Sequence, residues 1–207
     1  MIACLVTDRR RFVRPVPDLL DQMRRAVDAG IDLVQVREHD LEAANLTDLV
    51  LQILAIARGS GTRIVVNDRL DVAIAAGADG VHLRHDSVSV AEARSLAPAP
   101  FLIGRSVHDV AAANAAAGAD YLIAGTVFAT TSKPGAARLL GVDGLGAIVA
   151  TTSAPVLAIG GVTRDRLGAI AATGAAGIAA IGLFSATQLE DLIHEARRRF
   201  DSPRSPS

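Results

Sequence analysis

Two apolar runs end in clusters of polar residues of the types that bind anions and metal ions. The clusters are Gln35, Arg37, Glu38 and His39 around the end of "DLVQV" (32–36), and Asn67 and Asp68 after "RIVV" (63–66). A guanidinium suits a phosphate, and a carboxylate can hold Mg²⁺ against a diphosphate. Two structural alternatives stay open: Arg37 could pair with Glu38, and one member of the Asn67–Asp68 pair could cap the following helix.

A third cluster surrounds the only lysine of the chain. Lys133 lies in "GTVFATTSKPG" (125–135), after the hydroxyls of Thr130, Thr131 and Ser132, whereas every other strongly basic residue is an arginine. About 13 residues separate Phe128 from the next predicted helix, which is long for such a connection and typical of a lid. We expect these donors to contact an anionic oxygen.

Glycines at the ends of two later apolar runs indicate a phosphate site. They are Gly160 and Gly161 in "AIGGVT", and Gly182 after Ile181 in "AIGLFS". A glycine lets backbone amides approach a ligand closely, and helix N-termini favour anions. Tight packing is the alternative explanation for the same glycines.

Further polar residues follow the runs "GVHL" and "FLIG". They are Arg84, His85, Asp86 and Ser87 in the first case, and Arg105, Ser106 and His108 in the second. His82 alternates with apolar neighbours, so we expect it inside the protein rather than on a metal ion. The histidines lack the spacing of a zinc site, and Ser106 lacks the sequence context of a nucleophilic serine.

A repeated pattern predicts the elements that bring these residues together. "DAGIDLVQV", "AAGADGVHL", "AAGADYLIA" and "ATGAAGIAA" each join a helix to a strand through a glycine, at positions 30, 77, 118 and 174. The glycine fits the left-handed conformation that ends a helix. One further strand lies before each unit, so the pattern predicts a single compact α/β (β/α)₈ TIM barrel over residues 1–200, with a loose tail at 201–207. A doubly wound sheet is the rival, but no strand here opens into a G-x-G-x-x-G helix start.

Composition excludes several classes of function. The chain has 207 residues, a net charge of −1 and 3% aromatic residues, which argues against a nucleic-acid partner. The single Cys4 lies in an apolar run as a predicted core residue, and no apolar run is long enough to span a membrane. We expect a cytoplasmic protein that binds small phosphorylated molecules. Alanine-rich helix faces leave room for a homo-oligomer.

The whole chain resembles the thiamine phosphate synthase and thiazole tautomerase superfamily. The resemblance rests on "QVREH", "VVNDRLDVAIAAGADGVHL", "GRSVH", "GADYLIAGTVFATTSKPG", "LGVDGL" and "VLAIGGVT" in this order. It implies a TIM barrel, Mg²⁺ as cofactor, and coupling of 4-amino-2-methyl-5-hydroxymethylpyrimidine diphosphate to thiazole phosphate with release of diphosphate.

The resemblance also implies roles for individual residues. Gln35 through His39, Asn67 and Ser106 would bind the pyrimidine diphosphate, Asp68 would bind Mg²⁺, and Lys133 would reach the diphosphate. Thr130 to Ser132, Gly161, and Ile181 with Gly182 would hold the thiazole phosphate. Arg37, Asn67, Asp68 and Lys133 are the expected catalytic residues.

Three positions depart from the synthase pattern. His39 replaces a lysine, Ser87 replaces a second metal carboxylate for which Asp86 is the candidate substitute, and Ile181–Gly182 replaces Val-Ser. The tautomerases, which need no metal, are the alternative. Their catalytic histidine corresponds to Thr126, so His39 or His85 would have to supply the imidazole. A non-catalytic ligand-binding regulator is the third hypothesis.

Overall fold

The computed structural model describes residues 1–130, 139–185 and 189–201, and within these ranges eight strands alternate with eight helices. The strands are β1 (Ile2–Val6), β2 (Leu33–Val36), β3 (Arg63–Asn67), β4 (Gly80–Leu83), β5 (Leu102–Val107), β6 (Tyr121–Gly125), β7 (Val156–Ile159) and β8 (Gly177–Ala180). The helices are α1 (Pro15–Asp28), α2 (Ala43–Ala57), α3 (Leu70–Ala76), α4 (Val90–Leu96), α5 (Val110–Ala115), α6 (Gly141–Thr151), α7 (Leu167–Ala172) and α8 (Leu189–Asp201). None of these helices combines the length and apolarity that a membrane span requires.

The strands form a closed parallel barrel. Each strand pairs with the next along the chain, and β8 pairs with β1 in the register Ile2 to Gly177 and Leu5 to Ala180. The predicted TIM barrel is therefore confirmed. All eight carboxyl ends of the strands open on one face, and the loops that follow them surround one mouth.

The four repeated glycines have the backbone conformation that the sequence predicted. Gly30, Gly77, Gly118 and Gly174 have φ values of 76°, 67°, 86° and 85°. For example, Gly77 ends α3, and its N–H bonds back to carbonyls in the last turn of that helix. A residue with a Cβ would be strained there.

The aspartate in three of the repeats has a structural role at the opposite end of the barrel. Each carboxylate accepts a backbone N–H from the neighbouring earlier strand, at 2.7–2.8 Å. The pairs are Asp32 with Ala3, Asp79 with Ile64, and Asp120 with Ile103. The repeat thus links the starts of β2, β4 and β6 to β1, β3 and β5, respectively. The fourth unit has Ala176 at this position and lacks the carboxylate.

The barrel interior is a separate, small apolar layer beneath the mouth. It contains Cys4, Val6, Leu33, Val65, Tyr121, Ile123, Leu157 and Ala179, while the larger core lies between the strands and the helices. Cys4 is fully buried, as predicted, and burial raises the pKa of its thiol. Because strand residues alternate in direction, the next inward positions toward the mouth carry the polar side chains of the site.

Candidate active site

An open pocket of about 1160 Å³ lies at the carboxyl ends of the strands. Most of the residues predicted from the sequence line it: Gln35, Arg37, Glu38, His39, Asn67, Asp68, Ser106, Thr130, Gly161, Ile181 and Gly182. Thr131, Ser132 and Lys133 lie outside the described residues. Asp86 is described but does not line the pocket.

Gln35 and Asn67 form an amide pair at the floor of the pocket. Both are buried, and Gln35 Nε2 donates to Asn67 Oδ1 at 2.7 Å because β2 and β3 are adjacent. Among the described residues, Asn67 Nδ2 is a buried donor without a partner. An unpaired buried donor costs about 1–3 kcal/mol. The amide is therefore ready to bind an acceptor atom of a ligand.

A second polar chain crosses the interior through His82, which is buried as predicted. Its Nδ1 lies 3.1 Å from the Tyr121 hydroxyl, and its Nε2 lies 2.8 Å from Ser106 Oγ. Burial, assisted by the charge of Arg105, lowers the pKa of His82 to about 3. The imidazole is therefore neutral at pH 7, and it holds the Ser106 hydroxyl at the wall of the pocket.

Asp68 is held in an uncommon backbone conformation beside the turn after β4. Its φ is 62°, in the left-handed region, and its N–H donates to the His82 carbonyl at 2.9 Å. Such a conformation in a residue with a side chain is a recurrent feature of functional sites. Neither Asn67 nor Asp68 caps the following helix, because the residue before α3 is Arg69 and it forms no side-chain cap.

The turn after β4 presents a hydroxyl, not a second carboxylate, to Asp68. Ser87 Oγ donates a short hydrogen bond to Asp68 Oδ1. Asp86 is bound instead by Arg84, at 2.7 Å, and Arg84 also lies 3.8 Å from Asp68 Oδ2. Among the described residues, no group of three acidic, histidine or cysteine side chains could hold a metal ion. One carboxylate and one hydroxyl fit a Mg²⁺ ion that shares its ligands with substrate phosphate oxygens.

Arg37 and His39 reach the same side of the pocket from the end of β2. Arg37 is half-buried and has no ion-pair partner in the described part of the chain. Partial burial lowers the pKa of His39, and the nearby charges of Arg37 and Arg84 lower it further. His39 is therefore a neutral ring at pH 7, whereas Arg37 is a cation available to an anionic ligand.

Glu38 binds the loop after β1 and does not pair with Arg37. Its buried carboxylate accepts from Thr7 Oγ1 at 2.6 Å and from the backbone N–H and guanidinium of Arg9. Arg9 also binds Asp40 through two hydrogen bonds of 2.7 and 2.9 Å. Although Glu38 lines the pocket, its oxygens are occupied by the protein, so it positions this loop.

Gly160 and Gly161 lie against the loop after β6. Both have positive φ, and a Cβ on Gly161 would meet the Ala129 carbonyl at 2.5 Å. Tight packing, the alternative explanation given for these glycines, therefore does require glycine at these positions. Both glycines also line the pocket, so a role in ligand binding is compatible with the packing. Arg166 covers this region: it donates to the Gly161 carbonyl at 2.7 Å and lies 4.6 Å from the centre of the Phe128 ring.

Two exposed imidazoles lie on the β4–β6 side of the mouth. His85 and His108 are in edge contact, with ring centres 5.1 Å apart, and His108 Nδ1 forms a short hydrogen bond with the Gly125 carbonyl. Arg105 binds backbone carbonyls of the turn after β4, including that of His85 at 3.0 Å. Arg105 thus supports this turn and is not among the lining residues.

Arg11, Arg166 and His108 line the pocket but were not predicted as site residues. A signal existed for Arg11, because "TDRRR" follows β1 directly and the ends of barrel strands carry function. Nothing local in the sequence distinguishes Arg166 from the other arginines on helices. His108 was noted at the turn, but its contact with Gly125 depends on the packing of neighbouring loops.

A family model, curated relatives and a solved structure all show similarity between this chain and thiamine phosphate synthases. The family model described as thiamine monophosphate synthase matches residues 3–184. A thiamine-phosphate synthase of Methanoregula boonei is 48% identical over 144 residues, 69% of this chain and 67% of the relative, and one of Methanoculleus marisnigri is 47% identical over 145 residues, 69% of each. The solved thiamine phosphate pyrophosphorylase from Pyrococcus furiosus matches with a TM-score of 0.83 and 32% identity, over 97% of this chain and 95% of that chain. Since the family match runs from β1 to the turn after β8, this chain belongs to the thiamine monophosphate synthase family.

Proposed function

We propose that this chain is a thiamine-phosphate synthase that couples 4-amino-2-methyl-5-hydroxymethylpyrimidine diphosphate to thiazole phosphate and releases diphosphate. The observation that carries the proposal is one pocket that is lined on two separate sides by groups able to bind anions or a metal ion. Arg37 and Asp68 lie at the ends of β2 and β3, and Gly161 and Gly182 follow β7 and β8. β3 and β7 are four strands apart in a ring of eight, so two phosphorylated substrates can enter from opposite sides.

The floor of the pocket suits the aminopyrimidine. The unpaired Asn67 Nδ2 can donate to a ring nitrogen, and Gln35 holds the amide in that orientation. Ser106, fixed by neutral His82, can bond the exocyclic amino group. These contacts would place the methylene carbon of the pyrimidine toward the centre of the mouth, where the second substrate arrives.

The diphosphate would lie between Arg37 and Asp68. Asp68, with Ser87 beside it, would hold Mg²⁺ together with diphosphate oxygens, and the bound ion would neutralise charge on the leaving group. Asp86 keeps its proposed role as a second carboxylate only if it leaves Arg84. Lys133 would add a further positive charge to the leaving diphosphate.

The thiazole phosphate would lie at the glycine-rich side. Gly161, Ile181 and Gly182 offer backbone groups to the phosphate, and the hydroxyls of Thr130, Thr131 and Ser132 would complete the site. The C–O bond between the pyrimidine methylene and the diphosphate breaks, and the thiazole nitrogen forms a C–N bond to the same carbon. The chain contributes orientation and charge stabilisation to this exchange, because no protein atom is covalently changed.

The test is diphosphate release with both substrates, in Mg²⁺ or in chelator. We expect Mg²⁺-dependent release with formation of thiamine phosphate, and loss of about 10²-fold or more in kcat for Asp68→Asn. Asp48→Asn is the matched control, since Asp48 is exposed on α2. Full turnover in chelator, or equal activity of the two variants, would overturn the proposal.

Thiazole tautomerisation is the second candidate, and one contact favours it. His108 reaches the Gly125 carbonyl, next to Thr126, where the tautomerase pattern has its histidine. On this hypothesis His108, rather than the expected His39 or His85, would supply the imidazole. Metal-independent proton exchange on thiazole carboxylate phosphate, lost in His108→Asn, would support tautomerisation.

Ligand binding without either reaction would point to the third hypothesis, a non-catalytic regulator. A cytoplasmic location and self-association stay predictions of the sequence.

A further inference from the structure

The loop after β1 contains three consecutive arginines, Arg9, Arg10 and Arg11, and their side chains differ in the carboxylates that they bind. Arg9 is bound to Glu38 and Asp40, and Arg10 Nε donates to Asp8 at 3.1 Å. Arg11 is exposed and has no carboxylate partner in residues 1–130, 139–185 and 189–201. It is also the only one of the three that lines the pocket. Arg11 is therefore a cation at the mouth whose charge is not balanced by a neighbouring carboxylate.

Barrel closure brings Arg11 to the end of β8. β1 pairs with β8, so the loops that follow these two strands are neighbours. A Cβ built on Gly182 would lie 3.3 Å from Arg11 Nη2 and 3.8 Å from its Cζ. The guanidinium thus lies directly over a residue that has no side chain of its own.

The turn that carries Arg11 is held by buried contacts. Residues Arg9–Arg11 form a short 3₁₀ helix, and the Arg11 N–H donates to the Asp8 carbonyl at 3.2 Å. The buried Glu38 carboxylate binds both the backbone N–H and the side chain of Arg9. The start of the turn is fixed, so the backbone from which the Arg11 side chain extends does not have to be ordered when a ligand binds.

We propose that Arg11 binds the phosphate ester of the thiazole substrate at the β8 end of the pocket. A planar guanidinium can form two parallel hydrogen bonds with a phosphate. Position 182 is a glycine and has no side-chain donor, so the Arg11 guanidinium above it would supply the donor that a polar side chain at position 182 would otherwise provide. Arg166 lies on the β7 side of the same region but already donates to Gly161 and stacks on Phe128. Of these two arginines, Arg11 is the one without a protein partner in the described part of the chain, so its side chain can move onto the ligand. This assignment rests on the proposed function.

The experiment compares Arg11→Gln with Arg10→Gln, the matched control one residue away that does not line the pocket. Loss of a charged hydrogen bond predicts that the KM for thiazole phosphate rises about 10- to 100-fold in Arg11→Gln. The kcat and the KM for the pyrimidine diphosphate stay within about twofold, because the other substrate and the transition-state contacts are unchanged. Arg10→Gln keeps wild-type values.

Direct binding separates this proposal from the proposed function. Titration calorimetry measures the Kd of thiazole phosphate and of the dephosphorylated thiazole alcohol for both variants and the wild type. Arg11→Gln should weaken binding of the phosphate and leave binding of the alcohol unchanged. If the wild type makes no thiamine phosphate but shows this pattern, the assignment of Arg11 stands and the synthase function fails. An active enzyme in which Arg11→Gln changes neither KM nor Kd would overturn the assignment.

Discussion

Replacing Gly104 by alanine should damage both the barrel and the site, through Tyr121. Gly104 lies in the middle of β5, opposite Tyr121 of β6, and an added Cβ would overlap the tyrosine ring, 2.5 Å from Cε1. The ring is buried in the closed interior, so it must shift along the barrel axis or push the strands apart. Either movement separates the Tyr121 hydroxyl from His82 Nδ1, which is now at 3.1 Å.

Two costs follow from this shift. Overpacking of a core by one methyl group costs about 1–3 kcal/mol. A buried imidazole nitrogen left without a partner costs about 1–3 kcal/mol more. We therefore expect Gly104→Ala to lower the free energy of unfolding by about 2–6 kcal/mol, against a usual total of about 5–15 kcal/mol. His82 would also release Ser106, so kcat should fall while the KM for thiazole phosphate stays unchanged.

Urea unfolding followed by circular dichroism measures the first effect, and steady-state kinetics of the folded variant measures the second. Gly168→Ala is the matched control, because Gly168 is exposed in α7 and no atom lies within 4 Å of a Cβ built there. That variant should gain about 0.5–1 kcal/mol from helix propensity. A loss below about 0.5 kcal/mol in Gly104→Ala would refute the claim that the interior has no room beside Tyr121.

Three further predictions concern the metal site, the structural aspartates and pH. Ser87→Asp should place a second carboxylate beside Asp68 and reduce the Mg²⁺ concentration at half-maximal activity about fivefold, equivalent to about 1 kcal/mol; an unchanged Mg²⁺ titration would contradict this. Asp120→Ala should lower the free energy of unfolding by about 1–3 kcal/mol in urea titrations, because the Ile103 N–H loses its acceptor, and an unchanged midpoint would show that water replaces the carboxylate. Since the pKa of His82 is lowered to about 3, the unfolded chain binds a proton below about pH 6.5 that the folded chain does not. As pH falls from about 6.5 to 3, His82 should therefore lower the free energy of unfolding by up to about 1.4 kcal/mol per pH unit, and His82→Gln should remove this share of the total slope; equal slopes in the two proteins would refute it.

Local sequence was sufficient for the architecture and for placing most of the candidate site residues at one mouth of the barrel. A glycine that ends a helix and an apolar run that forms a buried strand are properties of a few consecutive residues, so Gly30, Gly77 and their repeats predicted the barrel. In a parallel barrel, every strand end opens on the same face. Residues such as Asn67 and Ser106 could therefore be assigned to the mouth without knowledge of any contact between them.

The partners of the site residues were decided by the tertiary structure. Glu38 pairs with Arg9, 29 residues away, and not with adjacent Arg37, because the loop after β1 packs over the end of β2. Ser87 and not Asp86 meets Asp68, since a one-residue step around a tight turn reverses the direction of a side chain. Which donor faces which acceptor depends on rotamers and on loops from distant parts of the chain, and these are fixed only when the barrel closes and the loops pack against one another.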